Sequence, residues 1–110
     1  MTPEGKVKRM IRERLDACYP HAWRGMPVQM GYGRNNFLDF HLVIPAPCKG
    51  RPGLPVAIEA KAPAGKLTKR QKETIRDLVK AGAMVFVVRD AADMERALRQ
   101  IDAGLRSLCK

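Results

Sequence analysis

Three residues carry the chemistry that can be read from this chain: Asp39, Glu59 and Lys61. Glu59 and Lys61 lie two apart in Val56-Ala57-Ile58-Glu59-Ala60-Lys61, where Val56, Ile58 and Ala60 alternate with Ala57, Glu59 and Lys61. That alternation predicts a half-buried strand. Residues two apart on a strand share a face, so the acid and the lysine point the same way, about 7 Å apart at ~3.3 Å rise per residue. Asp39 falls in a second apolar alternation, flanked by Leu38 and Phe40. An acid in that setting is unusual unless it is paired or ligates something. Two carboxylates on neighbouring strands can collect Mg²⁺, which takes one or two protein carboxylates and keeps several waters. A metal there polarises a phosphate oxygen and makes hydroxide available. A lysine beside it orients the water or stabilises charge on the phosphorane. The plainer reading of Glu59 and Lys61 is a surface ion pair on a solvated strand face.

The charge balance points the same way. The chain has 21 Lys and Arg against 11 Asp and Glu, a net charge of +10 over 110 residues. An excess of this size in a small domain is an electrostatic footprint for nucleic acid, with membrane surfaces and acidic proteins as the other candidates. The basic residues run from Lys6 to Lys110, which favours a basic folded face over a disordered arm. At 110 residues and 45% hydrophobic, the chain is expected to form one globular domain over residues 1–110. No apolar run reaches the ~20 residues of a membrane span, and no secretory signal follows Lys6 and Lys8. Cys18, Cys48 and Cys109 are far apart and lack Cys-x-x-Cys spacing, so they read as reduced cytosolic thiols.

The elements that must position these residues follow from pattern. Thr2-Pro3-Glu4 starts a helix, with Thr2 as N-cap and Glu4 favourable to the dipole. Val7, Met10, Ile11, Leu15 and Cys18 are its inward stripe, and Pro20 ends it. Lys6, Lys8, Arg9, Arg12, Glu13 and Arg14 take the opposite face. Trp23, Met26, Val28 and Met30 suggest a strand broken by Gly25 and Pro27, and residues 31–36 a turn or loop. Trp23 is read as core. Phe37 to Ile44 is the second strand, with Leu38, Phe40, Leu42 and Ile44 on one face and Phe37, Asp39, His41 and Val43 on the other. The Pro-rich connection from Pro45 to Pro55 suits an antiparallel pairing with the Glu59 strand.

Thr68 begins a helix with Gln71 as its capping-box partner, Ile75, Leu78 and Val79 as its stripe, and Gly82 near its end. Met84 to Val88 is an apolar run expected of a buried strand. Asp90 caps a last helix with Met94, Leu98, Ile101, Leu105 and Leu108 inward. The order is helix, strand, strand, strand, helix, strand, helix: an α/β domain with a mixed sheet of about four strands flanked by helices. The strand–helix–strand step from Val56 to Val88 should join parallel strands.

The pattern Asp39, a spacer, Glu59-Ala60-Lys61, then Gln71 on the next helix resembles the PD-(D/E)XK nuclease superfamily. It is more closely similar to the VRR-NUC family. The supporting residues are Ile58-Glu59-Ala60-Lys61-Ala62-Pro63, the helix start Leu67-Thr68-Lys69-Arg70-Gln71, and Ala81-Gly82-Ala83-Met84-Val85 leading to Val87-Val88-Arg89. The likeness covers Asn36 to Ala97 well and the first helix weakly. Leu38 stands where the family often has proline, and Asp90 follows Arg89 where a second arginine gives the family its name.

The resemblance implies a restriction-endonuclease-like core and a Mg²⁺- or Mn²⁺-dependent endodeoxyribonuclease. Its expected substrate is branched or structured DNA such as Holliday junctions, and its expected form a homodimer in a bacterial or phage-host cytosol. Asp39, Glu59 and the Ala60 carbonyl would ligate the metal, and Glu4 would complete the shell. Lys61 would sit at the attacking water, with Gln71 near the site or serving only as the cap of Thr68. Lys66, Lys69, Arg70 and Lys72 suit phosphate contact or a solvated face, and Tyr32 and Trp23 are candidates for base stacking. His41 shares the Asp39 face and either reaches the site or is a satisfied half-buried histidine. The readings from other classes are a non-catalytic nucleic-acid-binding domain and a nuclease accessory subunit.

Overall fold

The computed structural model describes residues 1–25 and 37–110. The expected positions Met26, Val28 and Met30 and the loop at 31–36, with Tyr32, lie outside the described residues. The elements run α1 (Pro3–Cys18), β1 (Trp23–Gly25), β2 (Phe40–Ile44), β3 (Leu54–Ala60), α2 (Lys69–Lys80), β4 (Met84–Val88) and α3 (Ala91–Ser107), in the order the pattern predicts. They form one four-stranded mixed sheet in the order β1-β2-β3-β4. β1 pairs antiparallel with β2 and β2 antiparallel with β3, while β3 pairs parallel with β4.

One face of the sheet makes the core. Phe40, Leu42 and Ile44 of β2 and Val56, Ile58 and Ala60 of β3 bury against Val7, Ile11 and Leu15 of α1 and Met94, Leu98 and Ile101 of α3. The helix starts form as their caps require: the side chains of Thr2, Thr68 and Asp90 each accept a backbone N–H from the first turn. At Thr68 the capping box is complete, and Gly82, after the end of α2, takes the left-handed φ of 102° that suits glycine.

Five expectations need correction. β3 is buried on both faces from Val56 to Ala60, Ala57 and Glu59 being buried as well as Ile58, with Gln71 of α2 reaching Glu59. In α2, Ile75 and Leu78 are only partly buried and Val79 is exposed. The helix is turned so that Gln71 and Thr74 face the sheet, and Val79 falls off that line. In α1 the stripe continues from Leu15 to Tyr19, four residues on, and Cys18 is exposed. β4 is an edge strand, so Met84 to Val87 are only partly covered. Trp23 is 63% exposed rather than core, because β1 is the other edge. Its ring lies along its own strand over Gly25, where an added Cβ would come within 2.9 Å of Cη2.

The cysteines are also corrected. Cys48, in the β2–β3 connection, is disulfide-bonded to Cys109, just beyond α3, across 61 residues of sequence, and Cys18 is free. The expectation of three reduced thiols therefore fails, and the argument from thiols to a reducing compartment fails with it. Among the described residues, no helix is long and apolar enough to cross a membrane.

Closing a loop of this length restricts the unfolded chain. The Cys109→Ser variant is expected to lose about 2–4 kcal/mol of stability in urea unfolding. Reduced wild type should fall to the same midpoint, and Cys18→Ser should stay within about 0.5 kcal/mol of the oxidised protein.

Candidate metal centre

The antiparallel register pairs Phe40 with Ile58, and this sets Asp39 beside the end of β3. Asp39 is not in mid-strand, as its flanking residues suggest, but in a bend one residue before β2. His41 holds that bend: the Leu38 N–H donates to its Nε2 at 3.0 Å. Burial lowers the pKa of His41, consistent with a neutral ring that accepts at this nitrogen. His41 is thus the satisfied, half-buried histidine and supports Asp39 through the backbone.

Asp39 and Glu59 are knit across the two strands. The Ala60 N–H donates to Asp39 Oδ2 at 2.9 Å, and the Asp39 N–H donates to Glu59 Oε1 at 3.3 Å. The Lys61 N–H donates to the Val88 carbonyl at 3.0 Å, extending the β3–β4 ladder by one residue. Along a strand, the N–H and C=O of one residue point to the same side. The Ala60 carbonyl therefore lies on the Asp39 side.

Gln71 does both things open to it. Its Oε1 accepts the Thr68 N–H at 2.9 Å, closing the cap, while its Nε2 donates to Glu59 Oε2 at 2.9 Å. Lys61 Nζ stands 3.7 Å from the same Glu59 oxygen, and the two side chains are only 11% and 5% exposed. Glu59 and Lys61 are therefore a buried pair at the sheet end and not a solvated surface pair.

The electrostatics of Glu59 follow from this setting. Burial is the largest influence, with the charge of Asp39 and a hydrogen bond to it acting in the same direction; together they push Glu59 up to about 7. Lys61 and the Asp39 N–H pull the other way and do not offset it. The rise is thus mainly the effect of burial, since each carboxylate already has an ammonium beside it, Lys8 at Asp39 and Lys61 at Glu59.

Lys8 was missed by sequence reasoning, which placed it on the solvated face of α1. Its Nζ is 3.4 Å from Asp39 Oδ1 and 3.5 Å from Glu4 Oε2. Burial lowers its pKa, but the attraction of Asp39 and Glu4 outweighs this and the net shift is upward. The four-residue spacing of Glu4 and Lys8 could have signalled a shared helix face. Glu4, expected in the metal shell, is ion-paired with Lys8, which is also paired with Asp39.

Lys66, Lys69, Arg70 and Lys72 are all exposed, on the turn after Lys61 and the first turn of α2, next to Gln71. Arg89 Nη2 donates to the Gly65 carbonyl at 3.2 Å, which ties that turn to the end of β4.

Among the described residues, no three His, Cys, Asp or Glu side chains come together as a group that could hold a metal ion. What is present is two carboxylates with a backbone carbonyl beside them, all hard oxygen donors. That set of hard donors fits a Mg²⁺- or Mn²⁺-type ion that keeps much of its water. No family model, curated protein or solved structure matches the chain.

The raised Glu59 has a signature in stability. Between its ordinary value of 4.5 and about 7, the folded chain holds a proton that the unfolded chain has released. Stability from this group therefore falls as pH rises through that window and levels off above it. In EDTA, Glu59→Gln should gain on wild type from about pH 4.5 to 7 in urea unfolding, and the difference should then stay constant. A difference independent of pH would show that Glu59 is ionised throughout.

Proposed function

We propose that this chain is a Mg²⁺- or Mn²⁺-dependent endodeoxyribonuclease that hydrolyses phosphodiester bonds in branched or structured DNA such as Holliday junctions. The observation that carries the reading is the convergence of Asp39, Glu59 and Lys61 at one end of the sheet, with Gln71 hydrogen-bonded to the second acid. The resemblance to the VRR-NUC family supports it, since the same residues are those its motif would use. The +10 charge supports a polyanionic partner.

In this reading Asp39, Glu59 and the Ala60 carbonyl hold the ion, and Glu4 joins them only if Lys8 is displaced. The bound ion supplies Lewis acidity toward a phosphate oxygen. Lys61 orients the attacking water and stabilises negative charge as it builds on the phosphorus. Gln71 fixes the rotamer of Glu59 by holding one of its oxygens. Lys66, Lys69, Arg70 and Lys72, on the rim beside Gln71, position the backbone by phosphate contacts without reading sequence. Their salt dependence would be steep.

Incubation with labelled four-way junction, flap and linear DNA, in Mg²⁺, Mn²⁺ or EDTA, tests the proposal. Cleavage of branched substrates with metal and none in EDTA is expected. Failure to cut any of them removes the enzyme reading and leaves a basic nucleic-acid-binding domain or an accessory subunit. Lys61→Ala should lower cleavage by about 100-fold or more while the far-ultraviolet circular dichroism is unchanged. Full activity in that variant would refute the role given to Lys61.

One site per chain cuts one strand, so symmetric resolution of a junction calls for a two-fold homodimer. Sedimentation at micromolar concentration should show a dimer, with or without junction DNA. A monomer in both conditions would refute this part of the reading.

A further inference from the structure

The acids at the sheet end alternate with lysines. Glu4 Oε2 and Asp39 Oδ1 lie 3.5 and 3.4 Å from one ammonium, that of Lys8, and are therefore within about 7 Å of each other. On the other side of Asp39 comes Glu59, whose Oε2 faces Lys61 at 3.7 Å. The two oxygens of Asp39 have different partners: Oδ2 takes the Ala60 N–H, and Oδ1 takes Lys8.

Glu4 and Lys8 lie four residues apart on one face of α1, near the start that the Thr2 cap and Pro3 set. Two-metal nuclease sites set ions about 3.5–4 Å apart, sharing a carboxylate between them. Here Asp39 already divides its two oxygens between the β3 backbone and the Lys8 ammonium.

We propose that Lys8 is a built-in counter-cation that fills the Glu4–Asp39 position, so that the site takes one divalent cation at Asp39 and Glu59 rather than two. This rests on the metal-dependent reading above. An ammonium between two carboxylates satisfies both without the water shell that a small dication would bring. With Lys8 in place, a second ion would have to displace it or sit against it. Without Lys8, Glu4 and Asp39 face each other with no cation between them.

The test uses the full chain, Mn²⁺ alone and isothermal titration calorimetry, with no nucleic acid. Wild type and Lys8→Arg should bind one ion per chain, and Lys8→Gln should bind two. Two ions in wild type, or one in a folded Lys8→Gln, overturns the proposal. Glu4→Gln provides a check that does not depend on the Lys8 variants folding. If Lys8 separates Glu4 from the ion, this change shifts the affinity of the single ion by less than about three-fold. A loss on the order of ten-fold, as for a charged ligand removed from direct contact, makes Glu4 a ligand and overturns the proposal. No Mn²⁺ binding in any form would bring down the metal-dependent reading and this inference together, whereas equal stoichiometry in all forms would bring down only the inference.

Discussion

The arrangement of the site depends on one contact between two strands: the Ala60 N–H donating to Asp39 Oδ2. This bond places a carboxylate where the ladder between β2 and β3 would otherwise continue, beyond the Phe40–Ile58 pair. It brings the acid of one strand over the acid of the next. Everything else at that end answers the resulting crowd of negative charge. Lys8 approaches from α1, Lys61 from the end of β3 and Gln71 from α2. Three elements thus converge on two carboxylates, and burial still holds Glu59 above the ordinary carboxylate range.

The sheet gives this contact its setting. β3 is central, and Glu59 near its end is buried, with Gln71, Lys61 and Asp39 all against its carboxylate. A buried carboxylate beside another carboxylate destabilises the folded chain at neutral pH unless a cation joins it. At the other end of β2, past Ile44, the chain is cross-linked through Cys48 to the residue after Ser107 and Leu108. The costly electrostatics and the covalent constraint therefore occupy opposite ends of the same strand. A 110-residue domain has a limited core, and a cross-link offsets what the acid pair takes away.

Much of this was legible in the sequence, for reasons specific to particular residues. The order of all seven elements followed from hydrophobic period and cap residues: Thr2, Thr68 and Asp90 each name a helix start by its local chemistry. Asp39, Glu59 and Lys61 could be grouped because an antiparallel connection and a strand face bring them together; Gln71 joined them only through the resemblance, its own pattern naming no more than the cap of Thr68. What escaped was decided by long-range packing. The partnership of Lys8 with Asp39 depends on how α1 is rotated against the sheet, and a helical wheel alone assigns Lys8 to the polar side. The pairing of Cys48 with Cys109 depends on a loop meeting a helix end 61 residues away. The exposure of Trp23 depends on β1 being an edge, a property of strand order and not of the tripeptide Trp23-Arg24-Gly25.

The position of Lys8 also bears on how the chain treats its own charge. With +10 overall, a few basic residues on the outside would suffice to attract a polyanion. Lys8 is not spent that way, being turned inward to Asp39 and Glu4. Lys61 is more deeply enclosed still, against Glu59. The exposed cluster at Lys66, Lys69, Arg70 and Lys72 is separate from both and stands on the rim. Two populations of positive charge can thus be distinguished by burial and partner. One faces carboxylates, and at Lys61, the more enclosed of the two, lower dielectric makes the charge count for more. The other is solvated, screened by salt and suited to attraction at a distance. The first kind comes from two separate elements, Lys8 from α1 and Lys61 from the end of β3, and meets two acids of which Gln71 of α2 holds the second.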